Sequence, residues 1–226
     1  MRMAADQLIL DLAHLPALGA QDFLVSRSNA AAAAIISRWP HWPQSAVVVV
    51  APPHAGKTHL GNVWRLKSDA TSIVAATLRE ADVASIHAGA ALLVEDLHAG
   101  VTDERALFHL LNLAREHKLS ILLTSRVPPG ELRICLPDLR SRLRALPLVT
   151  IAPPDAALLK AVLVKHFTDR QLLVEPHTIG YVALRMEQSM EAAATLVAEI
   201  DRAAMASHRK VTRALAAEVL ARRRAA

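Results

Sequence analysis

The chain has 226 residues, 53% of them hydrophobic and 21% charged, so it can bury a sizeable core and is not dominated by disorder. Aromatic residues are 3%, too few for a stacking platform on single-stranded nucleic acid, and one cysteine, Cys135, excludes a disulfide framework or a cysteine-rich zinc site. A formal charge of +5 permits acidic partners without selecting one.

The first residues, Met1 to Leu12, carry Arg2, Asp6 and Asp11 and contain no long apolar run, so no targeting segment is expected. Nowhere do about 18 uncharged apolar residues run together, which predicts no membrane span and a cytoplasmic protein. Asn29–Arg38 is alanine-rich and reads as a helix that stops near Pro40 and Pro43. Ala46–Val50 is a continuous apolar run before Pro52-Pro53, as in a strand covered on both faces. Helix over Lys57–Lys67, strand over Ser72–Ala75, helix over Thr77–Ile86 and strand over Ala90–Val94 follow. Asp103–His117 is an amphipathic helix with Leu107, Leu110, Leu111 and Ala114 on one face. Ser120–Thr124 and Leu148–Ile151 complete five strands.

Strands alternating with helices over 46–152 predict an α/β fold, a parallel five-stranded sheet with helices on both faces. After Pro154 the pattern is helical only: Asp155–Phe167, Pro176–Leu184, Ser189–Ala206 and Thr212–Arg223, with Asp155 and Thr212 as N-caps. Three parts are expected: 1–20, a nucleotide-binding α/β core over 21–153, and a small all-α lid over 154–226. The arginines at 222–224 read as a solvated helix end.

Chemistry concentrates at Ala51-Pro52-Pro53-His54-Ala55-Gly56-Lys57-Thr58, between a buried strand and a helix. That context suits a phosphate-binding loop. Backbone N–H groups wrap the phosphates, Lys57 reaches their oxygens and Thr58 holds Mg²⁺. Ala51 stands where the usual pattern has glycine, which requires a negative φ there. The other reading is an ordinary strand–turn–helix. Glu95 and Asp96 end the third strand, where an acid can complete a Mg²⁺ shell and a neighbour can orient water. Thr124-Ser125-Arg126 ends the fourth strand at the same edge, as a γ-phosphate contact or a plain polar exit.

Five segments, Phe23–Asn29, Gly56–Leu60, Leu92–Asp96, Leu122–Ser125 and Asp138–Leu143, resemble in order and spacing the AAA+ module of the DnaA-related replication proteins, over roughly residues 21–210. The resemblance implies an AAA+ P-loop core with a helical lid. A short member ending after the lid, without the initiator's helix-turn-helix domain, is similar to the Hda-like regulatory inactivators of DnaA, of alphaproteobacterial type. Gln7-Leu8-Ile9-Leu10-Asp11-Leu12 then resembles their sliding-clamp motif, with Gln7 in a polar niche and Leu8, Leu10 and Leu12 in an apolar groove. Without the resemblance this run reads as a strand packed on its own domain.

The resemblance also implies site roles. Phe23, Val25 and Asn29 line an adenine pocket. Pro53, His54, Ala55, Gly56, Lys57, Thr58 and His59 hold the nucleotide, ADP or ATP with Mg²⁺ at Thr58 and Glu95. Asp96 serves the catalytic water, Ser125 is a sensor and Arg142 is an arginine finger acting on a neighbour's nucleotide. Implied partners are DnaA, the DNA polymerase III sliding clamp (its beta subunit) and, since AAA+ relatives assemble head to tail, a homo-oligomer. No sequence-specific DNA contact is implied. Three positions depart from the initiator: Ala51, Arg126 at a sensor aspartate, and Glu191 at the lid's sensor arginine, where a carboxylate would repel a triphosphate. Weak or absent intrinsic ATPase is therefore expected. An autonomous P-loop ATPase of helicase-loader type and a non-catalytic adaptor remain the competing readings.

Overall fold

The structure is a computed structural model that describes residues 23–225; the expected clamp-binding run Gln7–Leu12 lies outside the described residues. Five strands, β1 (Ala46–Val50), β2 (Thr71–Val74), β3 (Ala91–Glu95), β4 (Ser120–Ser125) and β5 (Leu148–Thr150), form one parallel sheet in the order β2-β3-β4-β1-β5. All five residues of β1 are buried, as the uninterrupted Ala-Val-Val-Val-Val run demands of a strand covered on both faces.

Alternation within the strands divides the core in two. Val47, Val49, Leu93 and Leu122 face α1 (Ala30–Arg38) and α2 (Lys57–Ser68), where they meet Ile36, Leu60 and Trp64. Val48, Val50, Val94, Ile121 and Leu123 face the other way. They pack with α3 (Glu80–Ala84), α4 (Glu104–Glu116) and α5 (Pro137–Arg144). The stripe Leu107, Leu110, Leu111 and Ala114 is the buried face of α4, and Asp103 caps it by accepting the Ala106 N–H at 2.9 Å. The lid packs α6 (Ala156–Asp169), α7 (Pro176–Ala183), α8 (Met190–Ser207) and α9 (Arg213–Ala225) around a separate core that includes Leu163, Phe167, Leu196 and Val197. Asp155 and Ser189 cap α6 and α8.

One expectation needs correction, and one element adds to the expected set. The helix expected over Thr77–Ile86 is shorter, because the Asp82 carboxylate accepts the Arg79 N–H at 2.8 Å and starts α3 at Glu80. Helix α5 lies outside the elements that the sequence pattern predicts. It opens at Pro137 and buries two residues, Leu139 and Leu143. Among the described residues no helix is long and apolar enough to cross a membrane.

Candidate functional site

The carboxyl ends of β1, β3 and β4 are stitched together. The Ala51 N–H donates to the Ser125 carbonyl at 3.0 Å, and the Asp96 N–H donates to Thr124 Oγ1 at 3.1 Å. The loop from Ala51 enters α2 at this crevice. Gly56 is its N-cap at φ +95°, a conformation that suits glycine, and His54 adopts φ +58°. Ala51 lies outside the positive-φ positions, so alanine is accommodated there, fully buried.

Helix α2 has no side-chain cap and no acid in its first turn. Its orphan N–H groups and the positive end of its dipole therefore face the crevice, which is chemistry suited to a phosphate. The Lys57 ammonium is nearly buried and donates to Asp96 Oδ1 at 2.6 Å. Burial raises the Asp96 carboxyl, but the hydrogen bond and charge of Lys57, with His98 and Arg126 behind it, outweigh burial and hold it below the ordinary aspartate value. Burial also depresses His98. Asp96 opposes that shift, and Arg126 and Lys57 reinforce it. His98 Nδ1 lies 3.8 Å from Asp96 Oδ1 and has no hydrogen-bond partner.

The other expected residues group as follows. Glu95 accepts from Ser72 Oγ at 2.6 Å, so the two adjacent acids have different partners. Thr58 is exposed in the first turn of α2. Ser125 is fully buried and its Oγ accepts the Val127 N–H at 3.2 Å. Phe23 stacks on His59 with centroids 5.5 Å apart. The buried Asn29 amide ties its own loop, accepting the Ser26 N–H and donating to the Leu24 carbonyl, while Val25 is exposed. Among the described residues no group of three or more His, Cys, Asp or Glu could hold a metal ion. A Mg²⁺ here would therefore lean on phosphate oxygens and water as well as Thr58 and Glu95.

The lid meets the phosphate loop at the start of α8, and Arg223 of α9 lines the same small pocket as His54 and Glu191. The Met190 N–H donates to the His54 carbonyl at 3.2 Å, and the His54 imidazole contacts the Glu191 carboxylate. Sequence reading put His54 in the phosphate loop but could not pair it with a residue 137 positions away. Arg142 is elsewhere. It lines a pocket of about 790 Å³ with Ser45 and Ala46, at the amino end of β1, opposite the Ala51–Thr58 loop. There its guanidinium hydrogen-bonds to Asn112 and lies 4.9 Å over the Phe108 ring. Neither Asn112 nor Phe108 carries a local signal, since both sit on α4, far before Arg142 in the chain.

No family model matches the chain. A 102-residue stretch, 44% of the chain, is 30% identical to the chromosomal replication initiator protein DnaA of Cutibacterium acnes and covers 20% of that protein. Domain III of the Thermotoga maritima replication initiation protein DnaA superposes with a TM-score of 0.75 over 91% of this chain and 96% of the domain, at 17% identity. A replication initiator DnaA bound to AMPPCP and single-stranded DNA gives 0.69 over 83% of this chain and 65% of that one, at 18% identity. The Thermotoga maritima RuvB Holliday junction branch migration motor gives 0.65 over 83% and 64%, at 16% identity. The sheet with its helices is the fold of these AAA+ domains, and in sequence as well as fold the chain is similar to DnaA-related AAA+ proteins.

Proposed function

We propose that the chain is a nucleotide-binding regulator of replication initiation that acts on ATP held by a DnaA partner. It docks on the sliding clamp through Gln7, Leu8, Leu10 and Leu12 and offers Arg142 to the partner's triphosphate. That couples continuing synthesis to silencing of the initiator and prevents re-initiation. One contrast carries the reading. Lys57 is committed to Asp96 and the lid sets Glu191 against the phosphate loop, whereas Arg142 is held by the neutral Asn112 and Phe108 in a pocket at the opposite end that Asp138 and Arg115 also line.

The chain's own crevice is a binding site in this reading. The α2 N–H groups and Lys57 hold phosphates, Phe23, Val25 and Asn29 bound the base, and Thr58 with Glu95 would hold Mg²⁺. A Mg²⁺–nucleotide bound there supplies phosphate oxygens that compete with Asp96 for Lys57. Glu191 disfavours the extra charge of a triphosphate, so ADP is tolerated better. In the partner's site, the Arg142 guanidinium stabilises charge on the transferring phosphoryl group.

The test is conversion of DnaA-bound ATP to ADP with DNA-loaded clamp. Wild type is expected to stimulate it and Arg142→Ala is not. Absence of excess ADP with wild type ends the reading. The convergence of Lys57, Thr58 and Asp96 on one crevice favours a second reading, an autonomous ATPase. Steady turnover by the protein alone, abolished in Lys57→Ala, would establish that instead. Stimulation that survives in Arg142→Ala would make the chain an adaptor.

A further inference from the structure

Helix α5 carries three arginines, Arg140, Arg142 and Arg144. Arg140 and Arg144 are exposed, whereas Arg142 is half-buried and gripped from α4. Its Nη1 donates to Asn112 Oδ1 and its Cζ stands 4.9 Å over the Phe108 ring. Positions 108 and 112 are one turn apart and share a helix face. The guanidinium is therefore fixed at an edge and on a flat side. The Asn112 bond takes one of its five N–H donors.

The base of this arrangement is fixed as well. Glu104, in the first turn of α4, accepts the Cys135 and Leu136 N–H groups at 2.8 and 2.6 Å, just before α5 begins. Leu139 and Leu143 are fully buried against the same layer. Helix α4 thus holds α5 at its start, along its apolar side and at the Arg142 guanidinium.

We propose that Asn112 and Phe108 are positioning residues for Arg142, holding its guanidinium in one orientation over the pocket so that it meets a partner's triphosphate already ordered. The proposal rests on the trans-arginine reading above. An unrestrained arginine would have to give up rotamer freedom at the transition state, a cost on the order of 10-fold in rate. Asn112 supplies a neutral acceptor, so the bond that aims Arg142 adds no negative charge to the pocket, which Asp138 and Arg115 also line.

The experiment is single-turnover hydrolysis of DnaA-bound ATP with loaded clamp, as a function of the concentration of this protein. Asn112→Leu, which keeps size and removes the acceptor, is expected to lower the maximal rate about 5–20-fold while leaving half-saturation unchanged. Asn112→Gln keeps a neutral amide acceptor and is expected to stay within about 3-fold of wild type. Phe108→Leu, the second variant, is expected to lower the maximal rate about 3-fold. Thermal unfolding midpoints of the variants close to wild type show that they fold. A maximal rate in Asn112→Leu equal to or above wild type overturns the proposal, as does an equal loss in Asn112→Leu and Asn112→Gln. If wild type itself gives no excess ADP, the trans reading fails first, a result distinct from an active wild type with an indifferent Asn112.

Discussion

The two ends of β1 carry the two cations singled out by sequence, and their surroundings differ in kind. At the carboxyl end, Lys57 faces a carboxylate, the neighbouring acid Glu95 is engaged by Ser72, and Glu191 of the lid touches the loop through His54. At the amino end, Arg142 faces an amide and an aromatic ring, neither of which carries charge. A lysine paired with a carboxylate must exchange that partner for phosphate before it can bind a nucleotide. The groups that grip Arg142 are neutral, although Asp138, one turn earlier on α5, and Arg115 line the same pocket. A carboxylate grips the cation at the first end, and neutral groups grip it at the second.

The largest test of that contrast removes the Arg142 charge. Arg142→Ala should cut stimulated hydrolysis of DnaA-bound ATP by roughly 10³-fold or more, the scale of a trans arginine, read as ADP formed per minute. At the opposite end, Lys57→Ala should weaken binding of a fluorescent adenine nucleotide roughly 10–100-fold, the worth of a lost charge-assisted hydrogen bond. Equal effects of both substitutions on the partner's hydrolysis would erase the distinction between the two ends. Glu191→Gln removes one negative charge beside the loop. It should tighten triphosphate binding about 5-fold, with a smaller effect on the diphosphate, in competition titrations. An unchanged preference would mean that the lid carboxylate does not reach the phosphates.

The smallest expected effect is on pH dependence. His98 is held below its ordinary value, so the unfolded chain binds its proton first and stability falls as pH drops below about 6.5. The depressed Asp96 adds a second loss in the same direction, below about pH 4. His98→Gln should flatten the upper part of the acid limb in denaturant unfolding, measured at about pH 7 and about pH 5.5. A limb that stays as steep would place the titrating group elsewhere.

Much of the sheet was legible because buried strands advertise themselves. Ala46–Val50 is apolar at every position and coincides with β1, and the Leu107-Leu110-Leu111-Ala114 stripe marks the face of α4. Short or weakly apolar elements were not. Helix α5 has two buried residues in eight and begins with proline, so its periodicity is faint. Helix α3 is cut to five residues by a carboxylate reaching back to the preceding N–H. At the crevice, the strand–loop–helix context that places Lys57 is encoded locally, but its Asp96 partner lies 39 residues on, at the end of β3. The His54–Glu191 contact and the Asn112–Arg142 bond join residues far apart in the chain. Such pairings are settled by packing of whole elements, and no local spacing announces them.

The lid's separate core has an evolutionary consequence. Leu196 and Val197 pack among α6–α9, while Val49 and Leu122 pack under α1 and α2, and the two groups share no member. Substitutions can then accumulate in one unit without forcing compensating changes in the other. The lid can then vary in sequence while the sheet continues to fold as before.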